Sequence, residues 1–442
     1  MGSRKDFIKK ATLGAGGLAL GLSAKSYGRV MGANDRINIA IMGCGRRVGA
    51  YYEILSSDYN TNLSWLCDVK ASQRTKVIEA LKKEEIDAEP KQTDDIREVL
   101  EDPEVDVIFN ATPDHWHAPG TLMAVQAGKH VYVEKPCSHN MEESKMLVAA
   151  QQKYDKIIQM GNQQRSAPHT IEIINEIHNG AIGRPYKAVA FYNNQRGKVP
   201  NPVQQDPPED LNWELFQGPA PREAYHHDTW DYNWHWYGWK WGTAETGNNA
   251  THEVDVARWA LQVDYPEQVD VDAAKQHFQD DGWTMYDTMY ATFRYADDKT
   301  INWDGKSRNS LQTYGAGRGT IIYGTEGSVF VNRGIYRLFD REGELVREKS
   351  AGGNEQGTAL GGGGSMSTRH ILNFLNTIRG TSDQQNSPID EGSKSVDLCH
   401  LANIAYRTGK SLEVDSSTGR IYDREAMQLW GRDYESGWEP KV

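Results

Sequence analysis

Gly43 and Gly45, one residue apart, interrupt an apolar run, and a carboxylate follows at Asp68; these are the residue types a dinucleotide requires. Glycines let the backbone close on a pyrophosphate with no Cβ in the way, and the start of the next helix offers a partial positive charge. A carboxylate about twenty residues further on accepts hydrogen bonds from the adenosine ribose hydroxyls and repels a 2′-phosphate, favouring NAD over NADP. Arg46 and Arg47, directly after the second glycine, belong to the same cofactor-binding set. The third glycine is out of register: Val48 holds its place, with Gly49 one residue later. The plain alternative for Asp68 is a helix N-cap. A second group is Glu134-Lys135-Pro136. A lysine held at a strand end near a nicotinamide orients a hydroxyl or stabilises its alkoxide, and its plain alternative is a surface lysine ahead of a turn proline.

These side chains need strand ends to hold them. Arg36–Met42 is mostly apolar, the glycine turn breaks it, and a periodic stretch runs from Val48 to Leu55, which predicts strand, turn and helix. Leu63–Cys67 is the next strand and ends at Asp68. Helices are expected near 71–83 and 94–100, a strand over 105–111, a helix over 120–127 and a strand over 129–133. Such alternation predicts a parallel sheet of Rossmann type, whose ligands lie beyond the carboxyl ends of its strands. Thr112, Pro113, His115 and His117 follow one such end, and Glu134 and Lys135 another, so all six are candidate cofactor contacts. From about Lys156 the pattern changes to strands separated by irregular loops, at 186–192, 289–295, 299–303, 319–323 and 327–331. That predicts an α+β domain with a large, mainly antiparallel sheet. The stretches 200–208 and 351–365 are loops by composition. The division implied is an export signal and linker over 1–34, an NAD-binding Rossmann domain over 35–155, and a substrate-binding and oligomerisation domain over 156–442.

Three runs, Thr112-Pro113-Asp114-His115-Trp116-His117, Ala127-Gly128-Lys129-His130-Val131 and Glu134-Lys135-Pro136, resemble the most specific sequence run of the Gfo/Idh/MocA superfamily (glucose-fructose oxidoreductase, inositol dehydrogenase and MocA). Met160–Ser166 resembles the strand that opens the substrate domain in an exported bacterial subgroup, Asn248–Trp259 its catalytic helix, and Leu398–Arg407 a late helix packing back onto the core. The resemblance implies that Lys135 is the active-site lysine and that a cis peptide bond precedes Pro136. It implies hydride transfer between a nicotinamide and a hydroxyl carbon of a sugar, glycoside or polyol, with His252 accepting the hydroxyl proton and Lys135 polarising the oxygen. Asn248, Gln163 and Arg165 would position the substrate, and Asp255, on the same helix as His252, joins the substrate set. That helix usually carries Asp-x-x-x-His on one face. This chain has Asn248 and His252, and an amide cannot stabilise an imidazolium by charge. Two rival outcomes share the fold: redox-neutral glycoside cleavage through a transient 3-keto intermediate, and a catalytically silent sugar-binding protein that keeps NAD. The resemblance also implies a homo-oligomer, dimer or tetramer.

The segment His226–Tyr237 holds three histidines and two aspartates, but no H-x-x-x-H or facial-triad spacing, so no metal is assigned. It suits a polar aromatic wall that stacks on sugar rings, with Trp230 and His235 as substrate contacts. With 442 residues, 38% of them hydrophobic, the chain can build two cores. A formal charge of -12 excludes a nucleic-acid partner, which needs a basic stripe to displace counterions. Cys44, Cys67, Cys137 and Cys399 form no C-x-x-C pair. At the start, basic Ser3–Lys10 precedes a Gly/Ala-rich run, Ala11–Ala24, the layout of an export signal. It resembles a twin-arginine signal with Lys5 in place of the second arginine, and predicts a periplasmic location, or a cytoplasmic one if the signal is not functional. The run is too short and glycine-rich for stable membrane insertion.

Overall fold

The computed structural model describes residues 36–227, 229–351, 364–382 and 384–442. The expected export signal, most of the expected 351–365 loop, and Asp228 of the aromatic segment lie outside the described residues.

The strands β1 (Ile37–Met42), β2 (Thr61–Cys67), β3 (Lys91–Thr93), β4 (Val107–Asn110), β5 (His130–Val133) and β6 (Ile158–Met160) form a six-stranded sheet in the order β3-β2-β1-β4-β5-β6. Every pairing in it is parallel. All of β4 is buried, as befits a strand covered on both faces. The strand order reverses between β1 and β4, which opens a crevice beyond their carboxyl ends.

Helices α1 (Ala71–Lys83), α2 (Ile96–Glu101), α3 (Asp114–Gln126) and α4 (Met141–Tyr154) flank this sheet. Two local features differ from the sequence expectation. The single helix expected over 48–55 is a series of short 3-10 turns, Arg46–Tyr51, Glu53–Leu55 and Ser57–Tyr59. Helix α3 begins at Asp114 rather than near Gly120: Pro113 is extended at its N-cap, and Asp114 in the first turn complements the helix dipole.

After α5 (Pro168–His178) the chain builds the second sheet from β7 (Pro185–Gln195), with α6 (Trp213–Gln217) and α7 (Thr251–Leu261) preceding β8 (Gln268–Ala274), β9 (Thr288–Arg294), β10 (Thr300–Lys306), β11 (Arg308–Asn309), β12 (Arg318–Gly324), β13 (Gly327–Val331), β14 (Ile335–Asp340) and β15 (Leu345–Ser350). With β16 (Leu412–Glu413) the ten strands run β15-β14-β13-β12-β7-β10-β9-β8-β16, with β11 beside β7. Only β7 and β10 are parallel neighbours. One face packs on α7 and on α9 (Ile389–Thr408), joining Ala190 and Phe293 to Val254, Ala257, Leu398 and Leu401.

The first sheet does not end where the sequence suggested. Ile158–Met160, expected within the second domain, pairs with β5 as β6 and covers its open edge. From far downstream, α8 (Gly364–Ile378) places Ile371, Phe374 and Leu375 against Phe109 and Tyr132 of the first sheet. Short 3-10 turns cover less of a sheet face than a full helix does, and α8 completes that layer. Among the described residues no helix is long and apolar enough to cross a membrane.

Candidate active site

A cleft of about 740 Å³ opens at the carboxyl ends of β1, β4 and β5 and is closed on the far side by β7, β12 and the β13–β14 turn. That size suits a ligand-binding cleft.

At its floor Gly43 has φ +91, and a Cβ there would fall 2.7 Å from the Ala111 carbonyl carbon, so only glycine lets β1 turn this close to β4. Gly45 serves a different purpose. A Cβ on it would meet nothing within 4 Å, so its absence keeps the cradle open to a ligand. The Asp68 carboxylate stands beside them, accepting the Cys44 N–H at 2.6 Å and the Lys70 N–H at 2.7 Å. Burial raises its pKa, and the two N–H groups offset part of that rise. Each oxygen retains a lone pair for a ribose hydroxyl. This turn, cradle and carboxylate fit a dinucleotide. Arg46 lies along the same wall, paired with Asp231 at 3.3 Å. Thr112 and Pro113 line the cleft at the end of β4.

Glu134 lines the cleft but is already engaged: it accepts from Arg47 Nε at 2.7 Å and from Tyr51 OH at 2.9 Å. Burial opposes its charge, yet the Arg47 guanidinium holds the carboxyl below its ordinary range. Lys135 follows, and its bond to Pro136 is cis. Its Nζ donates to the Asn248 carbonyl at 2.5 Å and to Asn248 Oδ1 at 3.2 Å. Asn248 sits in a π-helical turn, Thr246–Ala250, that runs directly into α7, and such wide turns recur at functional sites. Burial draws the Lys135 amine down to about 8, Arg333 adds to this, and Asp114, Glu134 and Glu245 resist it.

His252 also lines the cleft, and its buried Nε2 has no hydrogen-bond partner among the described residues. Burial, then the charges of Arg333, Lys135, Arg318 and Arg47, hold its pKa well below 6.5. His117 donates from Nδ1 to the Pro136 carbonyl at 2.6 Å, and its buried Nε2 is likewise unpartnered. Gln163 reaches the cleft, held by Tyr132 OH at 3.3 Å. Trp230 and His235 form part of the far wall, with the His235 ring stacked on Trp234 at 3.5 Å. Among the described residues no group of three His, Cys, Asp or Glu side chains is placed to hold a metal ion.

Three expected site residues lie elsewhere. His115 is buried beneath the cleft, donating from Nε2 to the Phe216 carbonyl at 2.8 Å, and it packs on Trp241. Arg165 and Asp255 are spent on each other: Nε and one terminal nitrogen of Arg165 each reach a carboxylate oxygen at 2.8 Å, and Ser395 Oγ donates to Asp255 at 2.6 Å. A buried bidentate pair satisfies both charges, which is why neither side chain turns to the cleft.

Other lining residues went unnoticed in the sequence. Tyr192, Asn193 and Arg196 come from the end of β7, where the polar run Asn193-Asn194-Gln195-Arg196 closes an apolar strand. That is the same strand-end signal that singled out Lys135. Both side-chain heteroatoms of Asn193 are buried without partners, and Arg196 pairs with Glu245 at 3.0 Å. Arg318 and Arg333 complete the wall.

Residues 37–162 match the family model described as an oxidoreductase family with an NAD-binding Rossmann fold, and residues 174–334 match its C-terminal alpha/beta domain. A levoglucosan dehydrogenase of Pseudarthrobacter phenanthrenivorans is 29% identical over 169 residues, 38% of this chain and 36% of that protein. A glycosyl hydrolase family 109 protein of Saccharopolyspora erythraea is 29% identical over 192 residues, 39% of this chain and 41% of its own. The match thus spans under half the length of both curated relatives. A solved levoglucosan dehydrogenase in complex with NADH and L-sorbose shares the fold, with a TM-score of 0.64 at 19% identity over 86% of this chain and 99% of that one. The two matched models together span more than half of the sequence and coincide with its two sheets, so the chain belongs to the Gfo/Idh/MocA oxidoreductase family.

Proposed function

We propose that this chain oxidises a ring hydroxyl of a sugar, glycoside or polyol to a ketone, or runs the reverse reduction, with NAD as cofactor. The observation that carries the reading is the set of unmet polar atoms on residues that line the cleft: His117 Nε2, His252 Nε2 and both heteroatoms of Asn193, with Lys135 among the same lining residues. A buried donor or acceptor without a partner costs about 1–3 kcal/mol, and a polyol supplies closely spaced hydroxyls that meet several at once.

When bound, the nicotinamide supplies the hydride acceptor. We assign the proton work differently from the sequence expectation, which gave it to His252. Burial, and the Arg333, Arg318 and Arg47 charges that persist whatever the state of Lys135, disfavour protonation of His252. Lys135, drawn down to about 8, is matched to the working pH of a general base. The neutral Lys135 amine therefore takes the hydroxyl proton, the Asn248 oxygens aim its Nζ, and His252 holds the substrate by a neutral hydrogen bond.

The test is incubation of the purified chain and NAD with a panel of glycosides, polyols and 3-keto-glycosides, read by nicotinamide absorbance and mass analysis. A keto product with equimolar NADH is expected. Conversion without NADH accumulation would indicate redox-neutral cleavage, and inertness towards the whole panel would reject the reading.

Selectivity for NAD over NADP is assigned to the Asp68 carboxylate. Asp68→Ala should weaken NAD binding by about 1.5–3 kcal/mol, the worth of hydrogen bonds to a charged group. Calorimetry should record more than that if the Cys44 and Lys70 N–H groups, once freed, loosen the glycine turn. Equal affinity of the unaltered chain for NAD and NADP would remove the assignment.

Export through the basic, Gly/Ala-rich start belongs to the same proposal, and N-terminal sequencing of cell fractions should find a periplasmic chain lacking it. Intact Met1 confined to the cytoplasm would reject export. Homo-oligomerisation through the second sheet is likewise proposed, with sedimentation as its measure.

A further inference from the structure

Arg333 occupies the turn between β13 and β14, is only 8% exposed, and lines the cleft. No hydrogen bond or ion pair reaches its guanidinium from any described residue. A buried charge is ordinarily paired, and leaving one unpaired destabilises a fold. The turn that presents it is nevertheless built firmly. Asn332 Oδ1 accepts the N–H groups of Gly334 at 2.9 Å and Ile335 at 3.0 Å, and the Asn332 carbonyl accepts from His169 Nε2 at 2.8 Å. The backbone that carries Arg333 is thus fixed at the cleft wall.

Its neighbours sharpen the case. Arg318, on β12, donates from Nε to Glu253 at 2.7 Å, and Arg47 is matched by Glu134 at 2.7 Å. Arg47 is thereby neutralised, whereas Arg318 and Arg333 share the single Glu253 carboxylate, which leaves one net positive charge between them. Burial, then the Arg318 charge and that of Arg47, pull the Arg333 pKa down to about 9, and Glu253 and Tyr192 resist only part of this.

We propose that the substrate carries a carboxylate, and that Arg333 binds it at the end of the cleft shared with Lys135 and His252. The inference rests on the sugar-oxidoreductase reading and narrows it to acidic sugars or their glycosides. The one net positive charge left by Arg318, Arg333 and Glu253 matches one negative charge, and the planar fork of Arg333 matches the two oxygens of a carboxylate. The Gly43–Gly45 turn, at the other wall of the cleft, is the part that would hold the cofactor's phosphates.

The experiment uses the NAD-loaded protein and matched pairs of methyl glycosides and methyl glycuronides in the gluco, galacto and manno series, with D-glucose 6-phosphate as a phosphate arm. Calorimetry and kcat/KM are read together. At least one glycuronide should be favoured over its neutral partner by about 10- to 100-fold, the span of charge-assisted hydrogen bonds. Arg333→Gln should abolish that preference, leave NAD affinity unchanged and raise the Tm of the free protein, because it deletes a buried charge that Glu253 offsets only in part. Arg333→Lys should retain part of the preference. A purely structural arginine would lower Tm when replaced, which would overturn the proposal, as would lost NAD affinity or a stronger preference for the sugar phosphate. Equal handling of neutral and acidic partners also overturns it but leaves the oxidoreductase reading intact. If no member of any pair is bound or turned over, the sugar reading falls and this inference with it.

Discussion

Lys135→Ala should lower turnover by about 10²–10⁴-fold, the usual worth of a positioned acid or base, with NAD affinity unchanged. The pH profile carries the more specific signature. Burial lowers the Lys135 pKa from 10.5 to about 8, so the neutral amine becomes abundant as pH rises through that value. The kcat/KM for hydroxyl oxidation should therefore rise through about pH 8, and that for ketone reduction, which needs the protonated amine, should fall through it. Lys135→Arg removes the titration and should leave both directions slow and flat. Asn248→Asp places a negative charge against Nζ, where Oδ1 now lies at 3.2 Å, and should move the limb to higher pH. His252→Ala should cost about tenfold or less, since it removes one neutral hydrogen bond. Full turnover in Lys135→Ala would show that the reacting atoms lie elsewhere in the cleft.

The second large effect is on stability rather than chemistry. Asp255→Ala should destabilise the protein by about 3–5 kcal/mol, because it strands the Arg165 guanidinium in the interior. Arg165→Leu should do the same to the carboxylate. Combined replacement of both by leucine should recover much of the loss, since an apolar pair of similar volume leaves no charge unmatched. Denaturant unfolding measures each value, with kcat/KM of the folded fraction as control. A rise in KM without a loss of stability would return both residues to the substrate-binding role that their place in the sequence suggested.

That contrast shows what sequence patterns carry. The central strands of the first sheet were legible because they are almost wholly buried and so are mostly apolar, as in Ile37–Met42 and Val107–Asn110, whereas β3, Lys91–Thr93, is polar and largely exposed and carries no such signal. Helix α1 emerged at its observed bounds, with Val77 and Leu81 one turn apart on its buried face. Strand β15 did not, because Leu345–Ser350 is exposed throughout and shows no alternation. Within the site, Lys135 and Asp68 were legible because strand ends announce themselves locally. Arg333 was not: Asn332-Arg333-Gly334 looks like any exposed hairpin turn, and only the fold buries it. Likewise, nothing in either local pattern tells that Arg165 and Asp255 will meet, as their pairing depends on how α7 docks against the 3-10 turn Gln163–Ser166.

The docking of α8 on the first sheet bears on how the chain is made. During synthesis the segment through β6 leaves the ribosome with Phe109 and Tyr132 covered only in part, by Tyr51 and its neighbours, and Ile371, Phe374 and Leu375, which complete the cover, arrive only after β15 has been translated. The cofactor half is therefore not an autonomous folding module, although it comes first. Completing its core is a contact of long sequence separation, the kind that slows folding. The same dependence restricts evolutionary exchange: a nucleotide-binding half transplanted onto another partner keeps its core only if it takes this late helix along.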